Sequence, residues 1–559
     1  MTGNRGSKYN VLAVTSLGAL LSALNFSTLI IALPDLIRSL SISLLSAMWI
    51  MMSYMVAQTV MVLMAGSLAD RFGRRRLYIV GMMIFTVVSL AAGFVDQAPW
   101  LIVLRVFQGI GGAMLMANSA AIVADAFPKE ELGRALGINV MVVAVGQIIG
   151  PVLGGWLTTD YGWQWTFWFN VPFGIIAVIL ALLVLGWANA RGEGKPKTFD
   201  TMGVITYLIG VTGLLIALTW GAVKSWQDPA VYVGFGAFIV FMPWFLWNEA
   251  RASAPILHLG LFRNRTFGFG NLSASLLSIA RMAILFLLIF YFQGPKGDTA
   301  LKAGILAIPL ALGMLVLSPI SGWMSDRFGP LLPTTLGTVL TVVGLGGLAL
   351  DIRLDTPYWH LALWMLISGF GSGLFNSPNS SNIMNAAGIK HRGEASGIRS
   401  LTTNTGMLIS IAFSLVLVTR SIPRPAMLAI FAGTVRGIPQ GARAASVTGF
   451  IQGLHLAFWV MAGIALLATI LSILRGSGSK TKAVDPRLVE AILLGQEAKR
   501  LLSTKSWNAL SAGERALVQL AQHELHAVLG PSSVTRVSSP EDKGADKADA
   551  VRSLRRQAK

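Results

Sequence analysis

The chain has 559 residues, of which 54% are hydrophobic and only 12% are charged, and its formal net charge is +19 at neutral pH. This composition is far more apolar than that of soluble globular proteins and excludes that class, so the chain is expected to lie in a lipid bilayer. The sequence contains no cysteine, which excludes disulfides, cysteine-bound metals and thiol catalysis.

Apolar runs follow one another along the chain, and each is long enough to cross a membrane. A bilayer core of about 30 Å needs roughly 20 apolar residues in a helix, whereas barrel strands would alternate over about 10 residues. The runs are long and continuous, so we predict an all-α, multi-pass membrane protein with fourteen transmembrane helices. The predicted spans are 10–34, 44–66, 77–95, 99–125, 135–158, 165–189, 201–222, 230–248, 268–293, 301–325, 331–350, 358–385, 393–419 and 450–474.

The basic residues fall mainly in alternate loops, which is the positive-inside pattern of membrane proteins. This pattern predicts a plasma (inner) membrane protein with both termini in the cytoplasm, and it explains the high net charge without a nucleic-acid partner. The exception is the stretch 420–449, which carries four arginines on the predicted outer side. Its Pro and Gly residues are compatible with a folded hairpin.

A short motif occurs twice, each time at the end of an apolar run. The stretches GSLADRFGRRRL at 66–77 and GWMSDRFG at 322–329 share a Gly, an acid followed by a base, and a turn Gly. The repeat predicts two six-helix bundles in the same orientation, the arrangement of alternating-access transporters with a substrate site between the halves. We predict an N-terminal bundle over 1–190, a linker with two additional helices over 191–265, and a C-terminal bundle over 266–474.

The composition becomes polar at Arg475, where the last apolar run ends. Within 475–530 we predict two short amphipathic cytoplasmic helices, the second of which begins at a capping box formed by Ser511 and Glu514. The remaining residues, 531–559, are rich in Ser, Lys, Asp and Arg and are predicted to be disordered.

Several motifs resemble those of the major facilitator superfamily, and specifically its subgroup of fourteen-helix drug/proton antiporters. The first copy of the repeated motif, LRVFQGIGGA in the fourth span, GQIIGPVLGG in the fifth and WTFWFNVPFG near the sixth occur in the expected order. The resemblance covers residues 10–474. It implies a monomeric secondary exporter without cofactor or metal, which carries small hydrophobic or amphiphilic substrates through the lipid membrane in exchange for protons.

The resemblance implies a gating role for the repeated motif. An acid near a helix end can pair with a base, or with the positive N-terminus of a helix in the other half, and hold the cytoplasmic side closed. A tight basic turn that only follows the orientation rule is the alternative. The gating residues implied in this way are Gly66, Asp70, Arg71, Gly73 and Arg74 in the first copy and Asp326 and Arg327 in the second.

The fifth predicted span contains a stripe of small residues with one proline. Its members are Gly146, Gly150, Pro151, Gly154 and Gly155. Such a stripe lets a neighbouring helix approach backbone to backbone. The resemblance identifies this segment as the antiporter motif, which points to export, and close packing alone is the alternative.

The chain lacks the carboxylate that the resemblance would assign to proton coupling. Where the subgroup carries an Asp in the first span, this sequence has Asn25, which cannot carry a proton, and none of the 25 acidic residues lies near the centre of a predicted span. The remaining coupling candidates are Asp35, Asp125 and Glu394 near span ends. Arg105 in the fourth span is a further candidate, because its family counterpart is linked to proton transfer, and a structural role is its alternative.

Arg281 lies in the middle of the ninth span, and no acid occurs at the same depth. A lone arginine in a membrane needs carbonyl groups, water or a substrate anion, so substrate binding and a structural bond, for example to Asn404, both stay open. If the substrate supplies the counter-charge, it is an anionic or zwitterionic amphiphile. The predicted substrate-binding residues are Arg281, Asn25, Gln58, Gln147 and Asn404, although polar residues inside spans can equally join helices.

Three functions remain open from the sequence. The first is a secondary exporter of hydrophobic or amphiphilic compounds, and the second is a transporter of lipid or lipid-like anionic amphiphiles with weak or no proton coupling. The third is a membrane sensor or scaffold that does not transport. An enzyme is not expected, because the sequence shows no nucleophile-base pair, metal-ligand spacing or phosphate-binding loop.

Overall fold

The structure is a computed structural model that describes residues 5–186, 200–252, 255, 257–388, 391–476, 511, 514, 518 and 519. Every regular element in this part of the chain is a helix, and no strand occurs there. The predicted all-α class is therefore confirmed.

The helices follow the predicted spans closely. The first nine described helices are α1 (Arg5–Leu40), α2 (Leu44–Phe72), α3 (Arg74–Ala92), α4 (Ala98–Ala126), α5 (Lys129–Tyr161), α6 (Trp165–Trp168), α7 (Asn170–Leu185), α8 (Thr201–Val223) and α9 (Pro229–Glu249). The others are α10 (Arg265–Gln293), α11 (Ala300–Leu306), α12 (Ile308–Phe328), α13 (Leu331–Asp351), α14 (Tyr358–Ala387), α15 (Arg392–Thr419), α16 (Arg424–Phe431) and α17 (Gln440–Leu474), with 3-10 turns at Leu259–Arg263 and Val435–Gly437.

Two predicted spans are each divided into two helices. The span 165–189 consists of α6 and α7, with Pro172 in the first turn of α7. The span 301–325 consists of α11 and α12, with Pro309 in the first turn of α12. Proline has no backbone N–H, so a helix cannot continue through it with all its hydrogen bonds, and each break directly precedes a proline turn.

The stretch 420–449 does not form the expected hairpin. It contains the short helix α16 and a 3-10 turn, and α17 begins at Gln440, well before the predicted start at 450. The first turns of α17, QGARAASVTG, are too polar to register as an apolar run, yet their alanines favour a helix and Pro439 precedes them.

Thirteen helices in the described part of the chain are long and apolar enough to cross a membrane. The predicted span 358–385 is not among these thirteen. It corresponds to α14, which has 30 residues and is long enough, but its many Ser and Asn side chains lower its hydropathy. Among them Ser368, Ser372 and Asn379 are buried by the rest of the protein. The structure thus confirms a multi-pass membrane protein, and the count of fourteen spans stays a prediction.

Helices α1–α7, the first half, and α10–α17, the second half, pair in the same way. In the first half α1 packs on α5 and α2 on α4, and in the second half α10 packs on α15 and α12 on α14. The two additional helices, α8 and α9, pack on each other, and α8 also contacts α2 and α15. This recurrence is what a duplicated six-helix unit requires, while the boundaries at 190 and 266 stay a prediction.

Two tight turns mark one end of the molecule, which we call the motif end. Gly73 joins α2 to α3 with φ 93°, and Gly329 joins α12 to α13 with φ 82°. Glycine adopts such left-handed conformations without steric cost, so the turn Gly of each motif copy is required by the backbone. The α1–α2 and α10–α11 connections lie at the other end, which we call the opposite end.

Residues 479–559 form a separate unit. In it the Glu514 N–H donates to Ser511 Oγ at 3.3 Å, and the Ser511 N–H donates to Glu514 Oε2 at 2.8 Å. These two bonds form the predicted capping box. Of this unit the structure describes Ser511, Glu514, Val518 and Gln519. The rest of the two predicted amphipathic helices and the predicted 531–559 tail lie outside the described residues.

Candidate functional site

The two halves touch backbone to backbone at the opposite end, where α5 meets α11. A Cβ added to Gly155 would lie 2.5 Å from the carbonyl oxygen of Ala300, and one added to Gly304 would lie 2.4 Å from the carbonyl oxygen of Pro151. Real Cβ atoms essentially never come this close to backbone, so both positions depend on glycine. Two members of the small-residue stripe, Pro151 and Gly155, thus form the contact between the halves.

Hydrogen bonds between the halves reinforce this contact. The Leu301 N–H at the start of α11 donates to Thr159 Oγ1 on α5 at 3.0 Å. The Gln293 amide at the end of α10 donates to the Ile31 carbonyl oxygen of α1 at 2.9 Å. Helices from both halves therefore converge at the opposite end and close it.

The rest of the stripe faces α1 within the first half. A Cβ at Gly150 would lie 1.8 Å from Ser27 Oγ, and one at Gly154 would lie 2.6 Å from Thr28 Cα. A Cβ at Gly146 would lie 2.8 Å from a methyl carbon of Leu20. One face of α5 therefore packs on α1, while the neighbouring face at Gly155 packs on α11.

A cavity of about 130 Å³ lies between the two halves. We call it the central cavity. It contains three of the residues singled out from the sequence, namely Arg281, Gln147 and Pro151. The apolar part of its wall comes from both halves and includes Phe26, Met282, Leu285, Ala307, Ile308, Leu310, Ala311, Met314 and Met407.

Arg281 projects from α10 into the central cavity. Its Nη1 donates to the thioether sulfur of Met314 at 3.6 Å rather than to Asn404. A thioether is a weak acceptor and carries no charge. Among the described residues no carboxylate forms an ion pair with Arg281. The positive charge of the guanidinium is therefore not neutralised by any described carboxylate.

A second arginine, Arg399 on α15, lies beside Arg281. The two line a narrow cavity together with Thr403 and Asn376, and this cavity shares Arg281 and Ser372 with the central cavity. The sequence interpretation missed Arg399, which lies near the start of the predicted span 393–419. The rule that identified Arg281, a charged residue inside an apolar span, would have found it as well.

Asn25 and Arg105 are partners inside the first half. Asn25 is 2% exposed and Arg105 is 0% exposed, and Arg105 Nη1 donates to Asn25 Oδ1. The guanidinium also donates to Gln108 Oε1 at 2.7 Å and to the Ile50 carbonyl at 3.1 Å, and it lies 4.3 Å from the centroid of the Tyr54 ring. The structure thus places Asn25 with a coupling candidate and outside the lining of the central cavity.

Gln58 likewise belongs to the interior of the first half. Its amide donates to Ser22 Oγ at 3.0 Å and to the Tyr54 hydroxyl at 3.3 Å. Asn404 lies on α15, and it is not among the residues that line the central cavity. Of the five predicted substrate-binding residues, Arg281 and Gln147 are therefore the two that share this cavity.

At the motif end a predicted gating residue pairs with a predicted coupling residue. Arg74 Nη1 lies 3.0 Å from Asp125 Oδ1 and 3.2 Å from Asp125 Oδ2. The side chains are 41% and 53% exposed. Exposed ion pairs are worth about 0–1 kcal/mol, so this pair can open at little cost during a conformational change.

The other two acidic coupling candidates also lie near helix ends. Asp35 pairs with Arg38 at 3.0 Å and lines a pocket of about 240 Å³ at the opposite end. Glu394 lies at the motif end, 2.9 Å from His391 Nδ1. No carboxylate from the described part of the chain lines the central cavity.

The second copy of the motif is exposed. Asp326 and Arg327 both face solvent, and Arg327 lies over the ring of Trp323, 5.7 Å from its centroid. In the first copy, the gating residues Gly66, Asp70 and Arg71 belong to α2. The surroundings of Gly66, Asp70 and Arg71 lie outside what the structure describes.

The sequence matches the profile of the Major Facilitator Superfamily over residues 15–411 and 297–521. The chain therefore belongs to the major facilitator superfamily. It is 29% identical over 503 residues to the tetracenomycin C resistance and export protein of Streptomyces glaucescens, covering 84% of this chain and 92% of that protein. It is 32% identical over 406 residues to a riboflavin transporter of Clostridioides difficile (strain 630), covering 73% of this chain and 87% of that protein.

The fold is also similar to that of a solved transporter. A crystal structure of a bacterial homologue of the human lysosomal transporter Spinster, inward-facing and unoccupied, aligns with a TM-score of 0.59 at 17% identity, covering 86% of this chain and 100% of that chain. Because the family and these relatives are transporters, the chain is a multi-pass membrane transporter and not an enzyme.

Proposed function

We propose that the protein is a secondary active exporter, which moves hydrophobic or amphiphilic compounds across the plasma membrane by alternating access. The observation that carries this proposal is the central cavity, which lies between halves that touch at its edge, because the contact partners Pro151 and Gly304 both line it. A site between two repeated halves reaches either side of the membrane in turn when the halves rock. Export by the Streptomyces glaucescens relative supports the direction.

The cavity wall supports the class of substrate. Met282, Met314 and Met407 come from three different helices, and methionine side chains are flexible and polarizable enough to fit ligands of varied shape. Arg281 and Gln147 add polar contact points to this apolar wall. An amphiphile, with an apolar body and a polar group, matches both parts.

The orientation follows from charge. The basic cluster Arg74, Arg75 and Arg76 begins α3 at the motif end, and the positive-inside rule assigns such clusters to the cytoplasm. The motif end and both termini are then cytoplasmic, and the opposite end faces outward. In this orientation the described conformation is closed to the outside.

Uptake of dyes into vesicles tests the proposed function. The purified protein is reconstituted in vesicles, and one cationic, one neutral and one anionic amphiphilic dye are followed under an imposed pH gradient. We expect at least one dye to accumulate faster than in protein-free vesicles, and more so with the gradient than without it. Rates equal to those of protein-free vesicles for all three dyes would refute the exporter.

Proton exchange is the proposed driving force, and the contact between Asn25 and Arg105 makes it testable. Replacing Asn25 by Asp would place a carboxylate against the Arg105 guanidinium, because the Asn25 Oδ1 already accepts from it. A carboxylate ionises above its pKa and is protonated below it, whereas an amide does neither. We expect the transport rate of Asn25→Asp to vary more steeply with pH than that of the wild type.

Asn139→Asp is the matched control for this substitution. Asn139 is a buried amide of the first half that donates to Ser16 and Ser119 rather than contacting an arginine. Its replacement should leave the shape of the pH profile unchanged. If wild type and Asn25→Asp both show flat profiles, α1 plays no part in proton coupling.

The second candidate is a transporter of lipid or lipid-like anions with weak or no proton coupling. Arg281 favours it, because the described lining of the central cavity has cationic but no anionic side chains. Labelled phosphatidylglycerol that crosses the vesicle membrane equally fast with and without a pH gradient would favour this candidate over the drug exporter.

A further inference from the structure

Two arginines from different helices meet in one cavity of the second half. Arg281 comes from α10 and Arg399 from α15, and Ser278, Asn376 and Thr403 complete the lining around them. Arg281 and Ser372 belong to both this narrow cavity and the central cavity, so the two spaces adjoin. The arginine pair thus lies at one edge of a mostly apolar site.

Neither arginine has an acidic partner in the described part of the chain. Arg281 donates to the sulfur of Met314, and Arg399 Nε and Thr403 Oγ1 are buried without any hydrogen-bond partner. The ion pairs among the described residues all lie elsewhere. An unpaired charge inside a membrane protein is costly, and two like charges side by side are costlier still, so an anion would relieve both penalties.

We propose that Arg281 and Arg399 together bind the oxyanion group of an amphiphile, a carboxylate, sulfonate or phosphate. This inference rests on the proposed transport function and narrows its substrate class. Guanidinium groups present planar, paired donors that match such oxyanions, and Thr403 Oγ1 is available as a further donor. The apolar body of the ligand lies against the Met282, Leu285 and Met407 side of the central cavity.

The charge arrangement argues against cationic ligands at this position. A cation that approached the narrow cavity would meet two positive side chains at low dielectric, where like charges repel more strongly than in water. A small inorganic anion could satisfy the charges but would leave the adjoining apolar wall empty. The narrow cavity has only about 10 Å³, so the oxyanion lies where it adjoins the central cavity, at Arg281 and Ser372, and the apolar body lies in the central cavity.

Binding in nanodiscs of neutral phosphatidylcholine tests the inference. The probe is 11-(dansylamino)undecanoic acid, and its methyl ester is the uncharged match. We expect the wild-type protein to bind the acid at least about tenfold more tightly than the ester, since a charge-assisted bidentate bond is lost in the ester. Arg281→Gln and Arg399→Gln should each reduce this preference, and the double variant should abolish it.

Two control variants test whether a reduced preference for the acid comes from the arginine pair itself. Arg353→Gln removes an exposed arginine from the loop after α13 and should keep the full preference for the acid. Arg399→Lys keeps the charge but not the paired donors and should keep part of the preference. Unchanged binding of the ester shows in each variant that the cavity is intact.

The outcomes separate the possible sources of the oxyanion. If phosphatidylglycerol in the disc displaces the acid only when both arginines are present, the site holds lipid headgroups as well as free substrates. Equal affinities for acid and ester in the wild type, or a preference that survives in the double variant, would overturn the inference. Vesicles that transport the ester and acid alike would leave the exporter intact, whereas acid-selective binding without any transport would leave the site intact and refute the exporter.

Discussion

Replacing Gly155 with valine is expected to reduce transport at least about tenfold while the protein still folds, because the opposite end can no longer close. An added Cβ would lie 2.5 Å from the Ala300 oxygen and 2.8 Å from both the Ala300 carbonyl carbon and Leu301 Cα. All three are backbone atoms, which cannot move aside as a flexible side chain can. Transport by purified protein in vesicles measures the loss.

The same variant should expose the central cavity from the outside. Since the chain has no native cysteine, a single reporter such as Ala307→Cys can be labelled selectively. We expect a membrane-impermeant thiol reagent added outside to label the reporter faster in Gly155→Val. Gly463→Val is the control, because a Cβ at Gly463 in α17 meets nothing within 4 Å. Wild-type transport and labelling in Gly155→Val would show that this contact does not have to form.

Arg105→Met is expected to destabilise the first half. Arg105 donates to acceptors on three helices, Asn25 on α1, Ile50 on α2 and Gln108 on α4. The Ile50 carbonyl also accepts from the Ser53 hydroxyl and keeps that partner, whereas the Asn25 and Gln108 oxygens lose theirs. A buried acceptor without a partner costs about 1–3 kcal/mol, so two of them cost roughly 2–6 kcal/mol. Removing an arginine from the membrane returns about 2.5–3.5 kcal/mol. The net loss in the free energy of unfolding should be on the order of 1 kcal/mol.

Unfolding by a denaturing detergent, followed by circular dichroism, measures this loss. Arg353→Met at the exposed loop after α13 serves as the control and should unfold like the wild type. An unchanged free energy of unfolding in Arg105→Met would mean that the amides of Asn25 and Gln108 find other partners, and that Arg105 is not the residue that joins these helices.

The helices were largely predictable because each span is a long apolar run. The misses have identifiable physical causes. Pro172 and Pro309 interrupt two spans near their ends, where hydropathy does not register a break in hydrogen bonding. The first turns of α17 are helical but polar, so an apolar window starting at 450 missed Gln440–Gly449.

The site was predictable only where one residue carries the signal. Arg281 stands out because a charge in mid-span is rare, and the glycines of α5 stand out by their spacing. Asn25 could not be assigned in the same way. Its partner Arg105 is 80 positions away in the sequence. The sequence pattern of a polar residue in a span is the same whether its side chain faces a substrate or another helix.

Contacts between helix ends were equally out of reach of the sequence. The sequence predicts a gating role for Arg74 and a proton-coupling role for Asp125. The structure joins the two residues in one ion pair, between the start of α3 and the end of α4. A variant of either residue therefore breaks the same ion pair.

Transport by alternating access requires the opposite end to open and close, and a reversible crosslink across it tests this most directly. Thr159 on α5 and Leu301 on α11 are in hydrogen-bond contact, and the chain is free of native cysteine. In Thr159→Cys/Leu301→Cys, oxidation or a short bifunctional thiol reagent should stop transport, and reduction should restore it, while each single variant stays active. Complete crosslinking with undiminished transport would contradict alternating access through this contact.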